Sequence, residues 1–399
     1  MVTERELICQ LNYGTETVRA DVVLSQSDDC SVIATITPHR HISLISSNVD
    51  CFIESIPNCL SSLWLKKTPV TISEQNNQLK AKLGVAELDL QNLPSDKDIV
   101  SVRMYLTNLC PYFFQPNIKF DINITGQPRV VLSAHKEGAT EVGISNIAEI
   151  SQIPYSDLEN IKKFINSICW LCSFASGRLS AVARMEVLRN EELIYQELTS
   201  VDTTLNQGPK VIFDVDDLTQ FVEHSYKYYQ QIATTYNLNN LINLGLLAKH
   251  TPYIEVKTLL MCNFLEVLRY NYALNVCCPS GVFYKNDKDY FYLVSNGIRN
   301  RNSASFQDIV QHFCTTNRLT GWRSSFKDIR NEIVHTGNIT GSNSLEKIQK
   351  YQDLHHFCDR VILALLQWNL VSGHYIPRNC PNNRNPAVLG VNRVAFTNE

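Results

Sequence analysis

Two side chains near the end of one short run could do chemistry together: Arg330 and His335, in Arg330-Asn331-Glu332-Ile333-Val334-His335. A guanidinium is always charged and presents a planar fork of donors, which suits a phosphate and the charge that builds on it during displacement. A histidine can take up or release a proton near neutral pH. With the neighbouring 2′-hydroxyl of RNA as nucleophile, the pair suffices in principle to cleave a phosphodiester without a metal ion. Arg-x4-His alone recurs by chance and would equally suit two solvated residues, so its setting decides between the readings.

That setting predicts a helix over Trp322 to Gly337. With residues about 100° apart, Trp322, Phe326, Ile329 and Ile333 fall in one sector, the stripe a helix buries. Lys327, Asn331 and His335 follow one another at spacings of four on the opposite side, with Arg330 on the flank. Gly337 stands where a closing glycine belongs, so His335 lies in the final turn, at the negative end of the helix dipole. Lys327 is a candidate substrate contact on that polar face.

The surrounding elements are helical from Asp216 onward. Leu218, Phe221, Val222, Tyr229 and Ile232 mark one helix, Leu238 to Leu247 a second and Ile254 to Asn275 a third. On the third, Val256, Leu259, Leu260, Phe264, Val267 and Leu268 read as buried; Glu266 reads as an exposed flank position, or else as a partner for Arg330. A hairpin follows, with strands at Gly281 to Lys285 and Tyr290 to Val294, whose aromatics fill a satellite core or stack on unpaired bases. The loop after it carries Arg299 and Arg301, candidate phosphate contacts. Ser305 caps a fourth helix, the motif helix is fifth, and Ser344 opens the last, on which His355-His356 reads as surface polarity.

Residues 1–150 are written in short β-rich runs: Leu7 to Tyr13, Thr17 to Leu24, Ser31 to Thr37, His41 to Ser46, Leu79 to Leu90, Ile99 to Leu109, Ile118 to Thr125 and Arg129 to Ser133. They predict an antiparallel sandwich or barrel-like domain. Glu137 to Ile153 reads as a seam, and residues 151–215 as a connecting module of a helix from Tyr155-Ser156-Asp157 to Gly177 and a hairpin about Arg189-Asn190-Glu191. Residues 216–375 form the bundle and 376–399 an irregular tail. The expected class is therefore α+β, an N-terminal antiparallel sandwich-like domain followed by an all-α bundle.

The 399 residues carry a formal charge of −3, so attraction to nucleic acid has to be local. Thirteen cysteines without framework spacing read as reduced core residues in a cytoplasmic protein. Cys169-Trp170-Leu171-Cys172 sits in an apolar helical run with no second ligand pair, and His39-Arg40-His41 has no partner at ligand spacing, so neither predicts a metal site. No cofactor motif and no membrane-length apolar run occurs.

From Arg330 to His335 the chain resembles the HEPN superfamily, whose signature is an arginine and a histidine four to six residues apart, with a polar residue after the arginine in many of its ribonucleases; the likeness covers Asp216 to Gly373. The resemblance implies a helical bundle that pairs as a homodimer around one cleft, and metal-independent endonucleolytic cleavage of RNA. His335 would transfer protons, Arg330 would position the phosphate, and Asn331 would hold either one. The layout is similar to anti-phage and toxin effectors such as the ApeA-like branch, which implies antiviral defence or abortive infection and a phage-derived or protein trigger read by the N-terminal domain. The alternative is a non-catalytic HEPN-like module that binds nucleotide or RNA, or only dimerises.

Overall fold

The computed structural model describes residues 3–13, 16–27, 29–39, 51–55, 63–75, 78–90, 95–109, 119–135, 143–205, 210–212, 215–341 and 343–368. Contacts divide the chain into two units, Met1–Cys172 with Leu179–Asn206, and Ser173–Arg178 with Gln207–Glu399. The class is mixed, with antiparallel sheets in the first part and helices mostly in the second. No helix among the described residues is long and apolar enough to cross a membrane.

In the first unit, alternation of apolar and polar residues sets which face of each strand is buried. Strands β1 (Thr3–Tyr13), β2 (Glu16–Gln26), β3 (Val32–Pro38), β4 (Cys51–Ser55), β6 (Thr68–Gln75) and β7 (Gln78–Leu83) close a barrel in the order β1-β2-β3-β7-β6-β4. Leu7, Cys9 and Leu11 fill it from β1, Ala20, Val22 and Leu24 from β2, and Val32, Ala34 and Ile36 from β3. An eight-stranded sheet runs β10 (Lys119–Ile122), β11 (Val130–Ala134), β12 (Ile144–Pro154), β9 (Ile99–Thr107), β13 (Val182–Arg189), β14 (Glu192–Thr199), β8 (Val85–Leu90), β5 (Leu63–Leu65). Ala86, Leu88 and Leu198 of that sheet join the barrel's core.

Three sequence expectations change here. The run Leu79 to Leu90 is two strands, because the chain bends at Gly84, which has no side chain to resist, and passes from barrel to sheet. The expected seam before Ile153 instead contains β12, whose apolar periodicity is interrupted by the buried Ser145 and Asn146 and by register shifts. The hairpin turning at Asn190 and Glu191, both at positive φ, pairs through β13 with β9, so it belongs to the sheet and not to a separate connecting module. His39 Nε2 lies 3.0 Å from Asp21 Oδ2, both side chains exposed, just past the end of β3 at Pro38. The strand expected at His41 to Ser46, Arg40 and His41, and the tail 376–399 lie outside the described residues.

Helix α1 (Leu158–Ser176) stops at Gly177, where φ is +69°, and its last turn groups with the second unit. Cys169 and Cys172 point inward on α1, and burial pushes the Cys172 thiol up to about 12. Within the second unit the chain forms α2 (Val215–Tyr236), α3 (Leu238–His250), α4 (Ile254–Tyr272), a π turn (Ala273–Cys277), strands β15 (Phe283–Lys285), β16 (Phe291–Ser295) and β17 (Ile298–Arg299), then α5 (Phe306–Thr316), α6 (Ser325–Thr336) and α7 (Ser344–Leu365). Ser305 and Asp308 form a reciprocal capping box on α5.

Helix α4 packs against the other five helices of this unit. Its buried face is Thr258, Met261, Cys262, Phe264, Leu265, Leu268 and Tyr272, while Val256 and Leu259, expected inside, are 42% and 36% exposed. Apolar residues occur nearly all round this helix, so periodicity alone does not select the inner face. His355, expected on the surface, is 4% exposed on α7 with Asp359 one turn away. The motif helix α6 rests on Phe326, Ile329 and Ile333, and Phe326 packs against Trp322 and Phe357.

Two measurements check this architecture. Phe326→Ala should cost about 3–5 kcal/mol in chemical denaturation, the usual range for truncating a buried phenylalanine. Because a raised pKa keeps a thiol neutral at pH 8, iodoacetamide and peptide mapping should find Cys169 and Cys172 unmodified until denaturant is added.

Candidate functional site

The site begins with how α6 ends. Gly337 adopts φ +67° and returns its N–H to the Ile333 carbonyl at 3.0 Å, so the helix stops there and His335 falls in its last turn. Glu332 fastens the chain beyond, accepting from the Thr340 N–H at 3.2 Å and the Thr340 hydroxyl at 2.6 Å. The hexapeptide thus contains its own structural brace, and the polar face carries Lys327, Arg330, Asn331 and His335.

Arg330 is held from two sides. Its Nε and Nη2 donate to the same Glu266 oxygen, Oε1, at 2.9 and 2.8 Å, and Nη1 donates to Asn331 Oδ1 at 2.9 Å. The other Glu266 oxygen accepts from Arg269 Nε at 2.9 Å. The guanidinium carbon lies 5.7 Å from the centre of the Phe306 ring, the first residue of α5. Three charged side chains, each about one quarter exposed, therefore share one carboxylate between two cations and keep a net positive charge. One turn earlier on α4 the buried Cys262 thiol is pushed up to about 12 by desolvation, with the charges of Arg330 and Glu266 opposing one another there.

His335 is exposed, and among the described residues no hydrogen bond or ion pair holds its ring. It lies five positions after Arg330, about 7.5 Å along the axis and roughly 140° around it. Within one chain, then, Arg330 and Asn331 come together and His335 stands apart. Lys327 is half-buried one turn before Arg330. Arg299 is exposed on β17, its guanidinium 4.9 Å from the Tyr284 ring and 3.8 Å from the Tyr292 ring, and Arg301 is exposed just beyond it. This small sheet is tied to the end of α4, because Lys285 Nζ lies 3.2 Å from the Tyr270 hydroxyl and Tyr270 packs on Phe291.

Glu266 was the less favoured partner on sequence grounds, yet it is half-buried and binds Arg330 directly. Arg269 and Phe306 have no counterpart in the sequence reading; the i, i+3 spacing of Glu266 and Arg269 was the available signal. Among the described residues no group of three or more His, Cys, Asp or Glu is arranged to hold a metal ion. Comparison of the chain with family models, with curated proteins and with solved structures finds no match.

A double-mutant cycle with Glu266→Ala and Arg330→Ala should show a coupling of about 0.5–2 kcal/mol in urea denaturation, decreasing at high salt because the groups are partly exposed. Strictly additive single effects would mean that the contact contributes nothing to stability.

Proposed function

We propose that the chain is a cytoplasmic, metal-independent endoribonuclease of the HEPN kind that works as a homodimer. The observation that carries this reading is the clamped Arg330: a guanidinium oriented by Glu266 and Asn331, inside a cluster of net positive charge, on the same helix as an exposed histidine. Such a group is already aimed before substrate arrives, which is what stabilisation of a phosphorane requires.

In the reaction, the 2′-hydroxyl attacks the adjacent phosphorus as its proton passes to one His335. The bond to the 5′-oxygen breaks as that oxygen takes a proton from the second His335. The products are a 2′,3′-cyclic phosphate and a 5′-hydroxyl. One chain offers one histidine, whereas two copies across a twofold axis supply the base, the acid and both arginines from one sequence. Apolar side chains left outside the bundle favour such pairing: Val334 on α6 is 47% exposed, and Val256 and Leu259 on α4 are exposed as well. Lys327 would contact the phosphate backbone, and the Arg299 and Arg301 side chains would contact the strand beside the Tyr284 and Tyr292 rings. The resemblance to antiviral and toxin-type effectors leads us to read the β-rich unit as the receiver of a phage-derived or protein trigger.

A second reading, a non-catalytic RNA-binding or dimerisation module, is favoured by the His335 ring having no orienting partner among the described residues. Incubation of the purified chain with total RNA in EDTA, with mapping of new ends, separates the two. The nuclease reading expects cyclic-phosphate ends from wild type and at least a hundredfold less cleavage from Arg330→Ala and from His335→Ala. Cleavage unchanged in both variants would overturn it; binding without cleavage by wild type would support the module. Leu259→Glu with Val334→Glu should convert dimer to monomer in sedimentation and remove cleavage together with dimerisation.

A further inference from the structure

The second unit contains a cavity of about 700 Å³ where the end of α3 meets the first turns of α4 and α7. Its walls carry three lysines, Lys249, Lys257 and Lys347, and two tyrosines, Tyr253 and Tyr351. No role in the reaction above uses it. Glu255 at the cavity and Glu266 in the arginine clamp are eleven residues apart on α4, roughly 16 Å along the helix.

The chemistry of the walls is specific. Lys249 is only 2% exposed in its side chain, an unusual place for an ammonium, with Asp359 Oδ1 3.8 Å away and His355 Nδ1 3.8 Å from the other Asp359 oxygen. Lys347 Nζ lies 3.4 Å from Glu255 and donates to Asn338 Oδ1 at 2.9 Å, so its head group is held in place at the rim. Lys257 Nζ stands 5.6 Å over the Tyr351 ring, and the Tyr351 hydroxyl is fixed by donation to the Ala248 carbonyl at 3.3 Å. Glu255 is the one carboxylate of the lining and Asp359 lies against the buried lysine, so three ammonium groups face two carboxylates. Tyr253, at the mouth, leaves 69% of its surface in solvent.

We propose that this cavity binds a nucleoside phosphate, with the phosphate at Lys257 and Lys347, the charge of the buried Lys249 behind them, and the base against Tyr253 and Tyr351. The volume suits a mononucleotide, since pockets that enclose small ligands span roughly 300–1,000 Å³. Ammonium groups recognise phosphate as point charges, and an exposed aromatic ring such as Tyr253 accepts a base face whatever its sequence. An inorganic anion would use the lysines and leave the Tyr253 ring idle.

The test uses the full chain and titrates AMP, ATP, adenosine and inorganic phosphate by calorimetry and thermal shift. AMP or ATP should bind and raise Tm, while adenosine and phosphate bind at least tenfold more weakly. Lys257→Ala with Lys347→Ala should weaken AMP at least tenfold without changing the ligand-free Tm by more than a few degrees, and Tyr253→Ala should weaken it severalfold. Arg330→Ala should bind AMP as wild type does, which keeps this inference separate from the nuclease reading. A 5′-phosphorylated RNA oligonucleotide that competes with AMP would assign the cavity to strand ends, and one that does not would assign it to free nucleotide; either retains nucleoside-phosphate chemistry. No binding of AMP or ATP at millimolar concentration, equal binding of adenosine or inorganic phosphate, or undiminished binding in the double lysine variant would each overturn it.

Discussion

The Glu266 carboxylate is the hinge of the second unit's chemistry, because it turns a helix-surface arginine into a fixed group. An arginine on an exposed helix face ordinarily samples many rotamers, and ordering it on substrate costs free energy that an enzyme recovers only by holding it beforehand. Here α4 does the holding, through Glu266 against Nε and Nη2, and Arg269 shares the same carboxylate from the opposite oxygen. One anion between two cations leaves the cluster attractive to phosphate, whereas a one-to-one pair would have cancelled itself. Asn331 takes the remaining edge, so the plane of the guanidinium, as well as its position, is set.

That dependence explains why α4 sits at the centre of the bundle. It packs against the other five helices, so the orientation of Arg330 is referred to the whole unit and not to the short helix that carries it. The same helix presents its first turn to the lysine-lined cavity, its middle to Arg330 through Glu266, and its last turns to the small sheet through Tyr270. Residues far apart in sequence, from Lys249 to Lys347, acquire a common frame because one rigid element runs past all of them. Among the described residues His335 lacks such a brace, and Val256, Leu259 and Val334 leave apolar surface exposed on α4 and α6.

Local signals in the sequence carried much of this. The stripe Phe326, Ile329, Ile333 and the stop at Gly337 are short-range properties that place α6, although Trp322, read as part of the stripe, lies before the helix starts at Ser325. The cap at Ser305 and the hairpin about Arg189-Asn190-Glu191 were legible for the same reason. Pairing across long separations was not. Nothing in the spelling of Glu266 says that a side chain 64 positions later will reach it, and the apolar positions all round α4 conceal which side faces in. His355 looked like surface polarity because its partner is supplied by Asp359 one turn on, together with the neighbouring end of α3 that brings Lys249 beside that carboxylate. Strands β4, β5 and β6 are short or interrupted by proline, so alternation had too few residues to register.

A chain of net charge −3 is an unpromising binder of a polyanion, and resolving this constrains the proposed substrate. Fields from distant surface carboxylates are screened beyond about 8 Å at physiological salt, so only cations near the strand count. Among the described residues the candidates are Lys327 and the Arg330–Arg269 pair around one carboxylate, with Arg299 on the small sheet and Arg301 just beyond it. Few phosphate contacts mean a shallow salt dependence and weak sequence-independent affinity. The remaining free energy then has to come from groups indifferent to charge, and the Tyr284 and Tyr292 rings, with Arg299 stacked on them, are of that kind. Rings stack only on bases that are not already stacked in a duplex, so the same scarcity of positive charge that makes the chain look unsuited to RNA points it toward short single-stranded segments.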